Sequence, residues 1–167
     1  MLQMESDMPV VEISGISNKR QRKIIELAVG FYCKLLMRPS MVAQMSFNIV
    51  IKKKLESDAV GYCEVTGYNK AGAPRDFDIQ LYRSGKFEDL LRYLAHEVVH
   101  AKQYAKKELS ETTDCWMKKR VSSNTNYWDH PWEIEAYGRE LGMLIRFAEF
   151  YNLAQEVFGK EESKQSR

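Results

Sequence analysis

The feature that most constrains the fold is a pair of histidines, His96 and His100, set four residues apart in a stretch with helical periodicity. Apolar residues recur at helical spacing from Phe87 to about Lys107, which predicts one long amphipathic helix. Residues four apart lie one above the other on a helix, so both imidazoles point to the same side. We therefore expect a helix that packs its apolar stripe, Val98 and Val99 included, against the core.

The residues between the two histidines complete an HExxH motif, His96-Glu97-Val98-Val99-His100. Two imidazoles on one helix face can bind a single zinc ion, Zn²⁺. Glu97 is turned by about 100° from His96, so it lies beside the ion, where it can take a proton from a water that zinc makes acidic. A chance match is expected in roughly one of a few hundred chains of this length. The motif predicts a zinc-dependent hydrolase with Glu97 as the general base.

A catalytic zinc site needs a third protein ligand and an open position for water. Pro131 predicts the start of the last helix, which puts His130 at its N-cap and Glu133 in its first turn. A first-turn glutamate is already explained by helix capping. Glu135 has no such explanation, and two residues of helix separate the two carboxylates by about 200°. We expect Glu135 to be the ligand, with His130 and Glu133 as alternatives.

The other periodic segments predict an α+β fold with a small antiparallel sheet against helices. Helices are predicted from the N-cap Asn18 to about Met37, from Phe87 to Lys107, and from Pro131 to about Phe158; strands are predicted around Val10–Ile13, at Met45–Leu55, at Val60–Thr66 and at Asp76–Tyr82. Residues 108–127 predict a long polar loop. Residues 1–158 then form one domain, and the charged tail 159–167 is expected to be disordered.

Composition narrows the setting of the protein. The three cysteines are odd in number and form no CxxC pair, which fits a reducing compartment and excludes a disulfide framework. No apolar run is long enough to span a bilayer, and the N-terminus lacks a signal-peptide pattern. We expect a cytoplasmic protein with no membrane association.

The charge pattern gives weak support for nucleic-acid binding. Basic residues cluster at residues 19–23 and again at residues 52–54, but the formal net charge is only +2. Runs of this kind are usually a solvated surface, which is the favoured interpretation here.

Two motif segments together resemble a known class of proteins. HEVVHAKQYAKKEL followed by HPWEIEAYGRE resembles the small HExxH metallopeptidase-like proteins of phages and bacteria, which are similar to minimal gluzincins. The resemblance covers roughly residues 76–145. It implies a zincin-like fold, a zinc cofactor held by His96, His100 and Glu135, and Glu97 as general base. It also implies that the strand at residues 76–82 is the sheet edge lining the cleft, where a peptide or protein substrate would lie extended.

The layout is also similar to SprT-like proteins, but their third ligand is a histidine shortly after HExxH, and the next histidine here is His130. This departure disfavours the DNA-associated role of that family. The alternative function is a non-catalytic zinc-containing binding protein, of a kind that includes nucleic-acid-associated proteins. An intact Glu97 argues against it, because a purely structural site needs no general base.

Overall fold

Four strands form a sheet that carries the helices on one face. The computed structural model describes residues 7–159, so residues 160–167 of the predicted tail lie outside the described residues. The strands of the sheet are β1 (Val10–Ser14), β2 (Ser46–Lys52), β3 (Gly61–Tyr68) and β4 (Pro74–Tyr82). The helices are α1 (Lys19–Leu36), α2 (Pro39–Val42), α3 (Phe87–Ala105), α4 (Pro131–Phe150) and α5 (Ala154–Phe158). The α+β class is confirmed.

The sheet is mixed, so the prediction of an antiparallel sheet is wrong. Its strand order is β1-β2-β4-β3, with β1 and β2 parallel, β2 and β4 parallel, and only β3 antiparallel to β4. Helix α1 carries the chain from the end of β1 back to the start of β2, and such a crossover makes the two strands parallel. The β3–β4 hairpin then places β4, its second strand, beside β2.

The strand at residues 76–82 is therefore an interior strand, and its predicted position at the sheet edge is also wrong. Its alternation does follow the two faces of the sheet. Phe77, Ile79 and Leu81 are buried under the helices. On the opposite face, Asp76 and Asp78 accept hydrogen bonds from side chains of β2. The edge strand next to the HExxH helix is β3, which is paired only with β4 in this sheet.

Helices α1 and α3 form where the sequence predicts them. The side chain of Asn18 caps α1 by accepting a hydrogen bond from the backbone N–H of Gln21 at 3.0 Å. Helix α3 buries Leu94, Val98 and Val99 completely, as its apolar stripe predicts. This burial fixes the helix against the sheet and turns the opposite side, which carries His96 and His100, towards α4.

The last helix is interrupted, which corrects the prediction of one helix to Phe158. Helix α4 ends at Phe150, Asn152 adopts a left-handed φ of 53°, and α5 begins at Ala154. The polar loop before α4 is largely irregular as predicted. It contains a short hairpin, β5 (Cys115–Trp116) and β6 (Lys119–Arg120), and a 3₁₀ turn at Tyr127–Asp129. Among residues 7–159, no helix combines the length and the apolar character needed to cross a membrane.

Candidate metal site

Helices α3 and α4 bring two histidines and a carboxylate together. The Nε2 atoms of His96 and His100 are 3.1 Å apart. Glu133, in the first turn of α4, places Oε2 at 3.2 Å from Nε2 of His96 and Oε1 at 3.5 Å from Nε2 of His100. His96 and Glu133 are buried, and His100 is partly buried. These three residues are the group among residues 7–159 whose ligand atoms lie close enough to hold one metal ion.

The spacing of these atoms suits a zinc ion. Zinc ligands at about 2.0–2.2 Å in a tetrahedron lie roughly 3.3 Å from one another. The two Nε2 atoms are 3.1 Å apart, and Oε2 of Glu133 is 3.2 Å from Nε2 of His96, so both distances fall near that value. The other carboxylate oxygen, Oε1, is the one that lies 3.5 Å from Nε2 of His100. Two imidazole nitrogens that face each other across such a distance need a proton or a cation between them. The donor set of two nitrogens and a carboxylate is one that zinc accepts.

The third residue of the group is Glu133, and the predicted ligand Glu135 lies elsewhere. The Glu135 carboxylate is 2.6 Å from Nζ of Lys102, accepts a hydrogen bond from Nε2 of Gln103 at 3.0 Å, and pairs with Arg139 at 2.9 Å. In this arrangement Glu135 stands apart from the two histidines, and Glu133 occupies the place beside them that was expected of Glu135. The separation of about 200° between the two carboxylates predicts that only one of them faces α3. Both reach it, because they meet different turns of that helix.

His130, the other alternative ligand, is also outside the group. It occupies the N-cap position of α4, as predicted, but its side chain makes no capping bond. Its ring instead stacks on Trp132 with centroids 4.5 Å apart.

Hydrogen bonds at Nδ1, on the side of each ring away from Nε2, orient both imidazoles. Nδ1 of His96 lies 2.9 Å from Oε2 of Glu140, and Nδ1 of His100 lies 2.8 Å from Oε1 of Gln103. A carboxylate can only accept there when ionised, so it favours a proton on Nδ1 of His96. Partners of this kind set the ring tautomer and leave Nε2 free for a metal.

The orientation of the Gln103 amide follows from its other contacts. Its Nε2 donates to the backbone carbonyl of Trp132 at 2.9 Å and to Glu135 at 3.0 Å. Both partners only accept, so the amide oxygen must face His100 and accept from Nδ1. Gln103 is fully buried, and Glu135 is held by Lys102. Glu135 thus contacts the histidines only indirectly: it accepts a hydrogen bond from Gln103, and Gln103 accepts one from His100.

Glu97 lies beside the histidine pair and under the edge strand. Its side chain is 5% exposed, and a Cβ added to Gly61 of β3 would overlap its carboxylate. Burial raises the pKa of Glu97 to about 7, although the two histidines partly oppose this rise. A side chain at the start of β3 would therefore displace the Glu97 carboxylate from its present position.

The charges of the group complement one another. Burial lowers the pKa of His96, but hydrogen bonds to Glu133 and Glu140 outweigh it and raise that pKa to about 9. Burial raises the pKa of Glu133, but hydrogen bonds from His100 and His96 outweigh it and lower that pKa overall. The site thus attracts positive charge to the space between the rings and the carboxylate.

A cleft opens beside these groups. Its volume is about 300 Å³, and it lies between the start of β3 and the facing sides of α3 and α4. Tyr127 and Tyr137 are part of its wall. The Tyr127 hydroxyl donates to Oε2 of Glu133 at 2.9 Å, and the Tyr137 ring lies 4.5 Å from the ring of His96. Both tyrosines thus bring phenol groups close to the candidate ligands.

Sequence reasoning missed the supporting residues Gln103 and Glu140. Helical spacing could have found them, because Gln103 is three residues after His100 and Glu140 is seven residues after Glu133, on the same helix face. However, the spacing alone does not predict what these residues do, because their roles depend on which faces of α3 and α4 pack together.

Cations of both basic runs have partners within the chain. Arg20 pairs with Glu156, Lys23 pairs with Glu26, and Lys52 donates a hydrogen bond to Gln80. These contacts fit the favoured interpretation of a solvated surface.

Comparison of the chain with protein-family models, with curated proteins and with solved structures finds no significant match.

Proposed function

We propose that this protein is a zinc-dependent hydrolase, most specifically a metallopeptidase, in which His96, His100 and Glu133 hold the ion. The observation that carries the proposal is the close approach of the Glu133 carboxylate to the paired Nε2 atoms of His96 and His100, with one ligand atom from each residue within 4.8 Å of the others and Glu97 buried beside them. Zinc bound there would polarise a substrate carbonyl and acidify a water molecule. The HExxH motif and this donor set are the support for zinc over other ions.

The residues of the chain would divide the remaining chemistry. Glu97 would accept the proton of the attacking water on a carboxylate oxygen and then deliver it to the nitrogen of the leaving amine. Glu140 and Gln103 would keep the two imidazoles in the tautomer that leaves Nε2 unprotonated. Tyr127 borders the cleft, and its hydroxyl would hold the Glu133 carboxylate in place by donating its one proton to Oε2.

A peptide substrate would lie along β3. This strand is the sheet edge beside α3, and its first residue, Gly61, lines the cleft. An unpaired strand edge offers backbone donors and acceptors to an extended peptide. The edge position of β3 supports it, and not the interior strand β4, as the strand that a substrate would extend.

The test combines metal content with hydrolysis. Protein purified without added metal should contain close to one zinc per chain, and His96→Ala should lose it. Zinc-loaded protein should cleave an unfolded protein substrate such as casein, and Glu97→Gln should retain zinc without cleaving. A wild-type chain that binds no zinc would refute the metal site.

The same experiment separates the alternative of a non-catalytic zinc-binding protein. That function predicts bound zinc with no hydrolysis by the wild type and no effect of Glu97→Gln on any measured property except stability.

A further inference from the structure

Helix α4 carries an apolar strip that other described residues leave uncovered. Ile134, Leu141 and Ile145 are 57%, 53% and 40% exposed, although each is a large aliphatic residue. Their spacing places them on one side of the helix, together with Gly138. We call these four residues the α4 stripe. It lies to the side of the face that carries Glu133 towards α3.

The glycine in the stripe has no packing reason within one copy of the chain. Gly138 lies in the interior of α4, where glycine is less stable than alanine. A Cβ added there would meet no atom within 4 Å. Glycine is explained if another backbone approaches closely at this point.

The stripe has the same spacing when it is read in either direction along α4, and an isoleucine stands at each end. Ile134 is four residues before Gly138, Leu141 is three residues after Gly138, and Ile145 is four residues after Leu141. Two such helices that run antiparallel about a two-fold axis bring each Ile134 level with the partner's Ile145. They also bring each Leu141 level with the partner's Gly138, so the leucine side chain fills the space that the glycine leaves.

Charge is matched at the ends of the same pairing. In this register, Glu149 lies level with the partner's His130, which is the N-cap of α4. Glu149 is exposed, and the His130 side chain leaves the helix N-terminus without a capping bond. A carboxylate near a helix N-terminus is favourable because the helix dipole is positive there.

From these observations we propose that the α4 stripe is a homodimer interface, in which two copies of this chain pair antiparallel through α4. The occupant is a second copy because both the apolar pattern and the end charges are self-complementary. The pairing uses none of the proposed metal ligands, so it stands or falls independently of the zinc site.

The test measures the association of the full chain by sedimentation over protein concentrations of roughly 1–200 µM, the range expected for a modest interface. The wild type should shift from monomer to dimer in this range. Leu141→Asp should be monomeric throughout, with an unchanged circular dichroism spectrum. The matched control is Phe158→Asp. It also replaces an exposed apolar residue by a charged one, but this residue lies on α5, outside the stripe.

Gly138→Ala should change the stability of the monomer and the strength of dimerisation in opposite directions. It should raise the melting temperature at the lowest concentration because alanine favours the helix, and it should weaken dimerisation at least several-fold because the added methyl group meets Leu141 of the other copy. Tighter dimerisation by this variant would contradict the register.

Cross-linking tests the orientation. A mixture of Ile134→Cys and Ile145→Cys chains should form the mixed disulfide in preference to either symmetric one. A wild-type chain that is monomeric throughout, or a dimer that survives Leu141→Asp, would overturn the proposal and leave the stripe to a different protein partner or to none.

Discussion

Replacing Glu133 by glutamine should remove most of the zinc affinity, whereas the same change at Glu135 should remove little. Glutamine keeps the size of the side chain and removes the negative charge. Four-ligand zinc sites bind with about 10–16 kcal/mol, so one ligand is worth roughly 2.5–4 kcal/mol, or about a 100- to 1,000-fold change in affinity. Glu135 touches Gln103, which touches His100, so its loss should reduce affinity only about tenfold.

The assay is competition for zinc against a chromophoric chelator at fixed pH. Glu149→Gln is the matched control, because it removes an exposed carboxylate from the same helix. Circular dichroism of each metal-free variant shows whether the fold is retained. The predicted order of affinity is wild type and Glu149→Gln, then Glu135→Gln, then Glu133→Gln.

The result that refutes the reasoning is an inverted order. If Glu135→Gln loses zinc and Glu133→Gln keeps it, then the ligand is the residue that the sequence favoured, and the geometry around Lys102 must change when the ion binds.

Three further changes test other parts of the site. Gly61→Val should push Glu97 away because a Cβ there overlaps its carboxylate; hydrolysis should fall at least about 100-fold while zinc content stays the same, and a fully active variant would remove Glu97 from the mechanism. Gln103→Met should weaken zinc binding about 10- to 100-fold, measured against the same chelator, and unchanged affinity would show that the His100 orientation does not depend on the amide. Zinc at about 1,000 times its dissociation constant should stabilise the chain by about 4 kcal/mol, so excess chelator should lower the melting temperature by roughly 10 °C, whereas His96→Ala should show no such response.

Much of the fold could be predicted because its helices have strong periodicity and clear ends. Asn18 caps α1, and the apolar stripe of α3 is buried as its spacing indicates. The sheet order could not be predicted in the same way. The alternation of residues 76–82 shows that the strand has two faces, but it contains no information about which strands lie beside it.

The position of Glu133 beside the two histidines was not predicted, for a related reason. The sequence predicts a capping role for Glu133. The separation of about 200° between Glu133 and Glu135 also predicts that only one of them contacts α3. In the structure α4 crosses α3 so that Glu133 reaches His96 and His100 while Glu135 reaches Lys102. The crossing of two helices depends on packing across the whole core, which local spacing does not reveal.

The separation of the three candidate ligands along the chain also affects when their cluster can form during synthesis. His96 and His100 are made together on α3, whereas Glu133 follows His100 by 33 residues, beyond the long loop. At about 5–20 residues per second, the ribosome adds that segment in roughly 2–7 s. For this interval the nascent chain presents two imidazoles and no carboxylate from α4, together with the side of α3 that α4 later covers. If the proposed zinc site is correct, selective loading would therefore follow the translation of α4, when Glu133 has joined the two histidines.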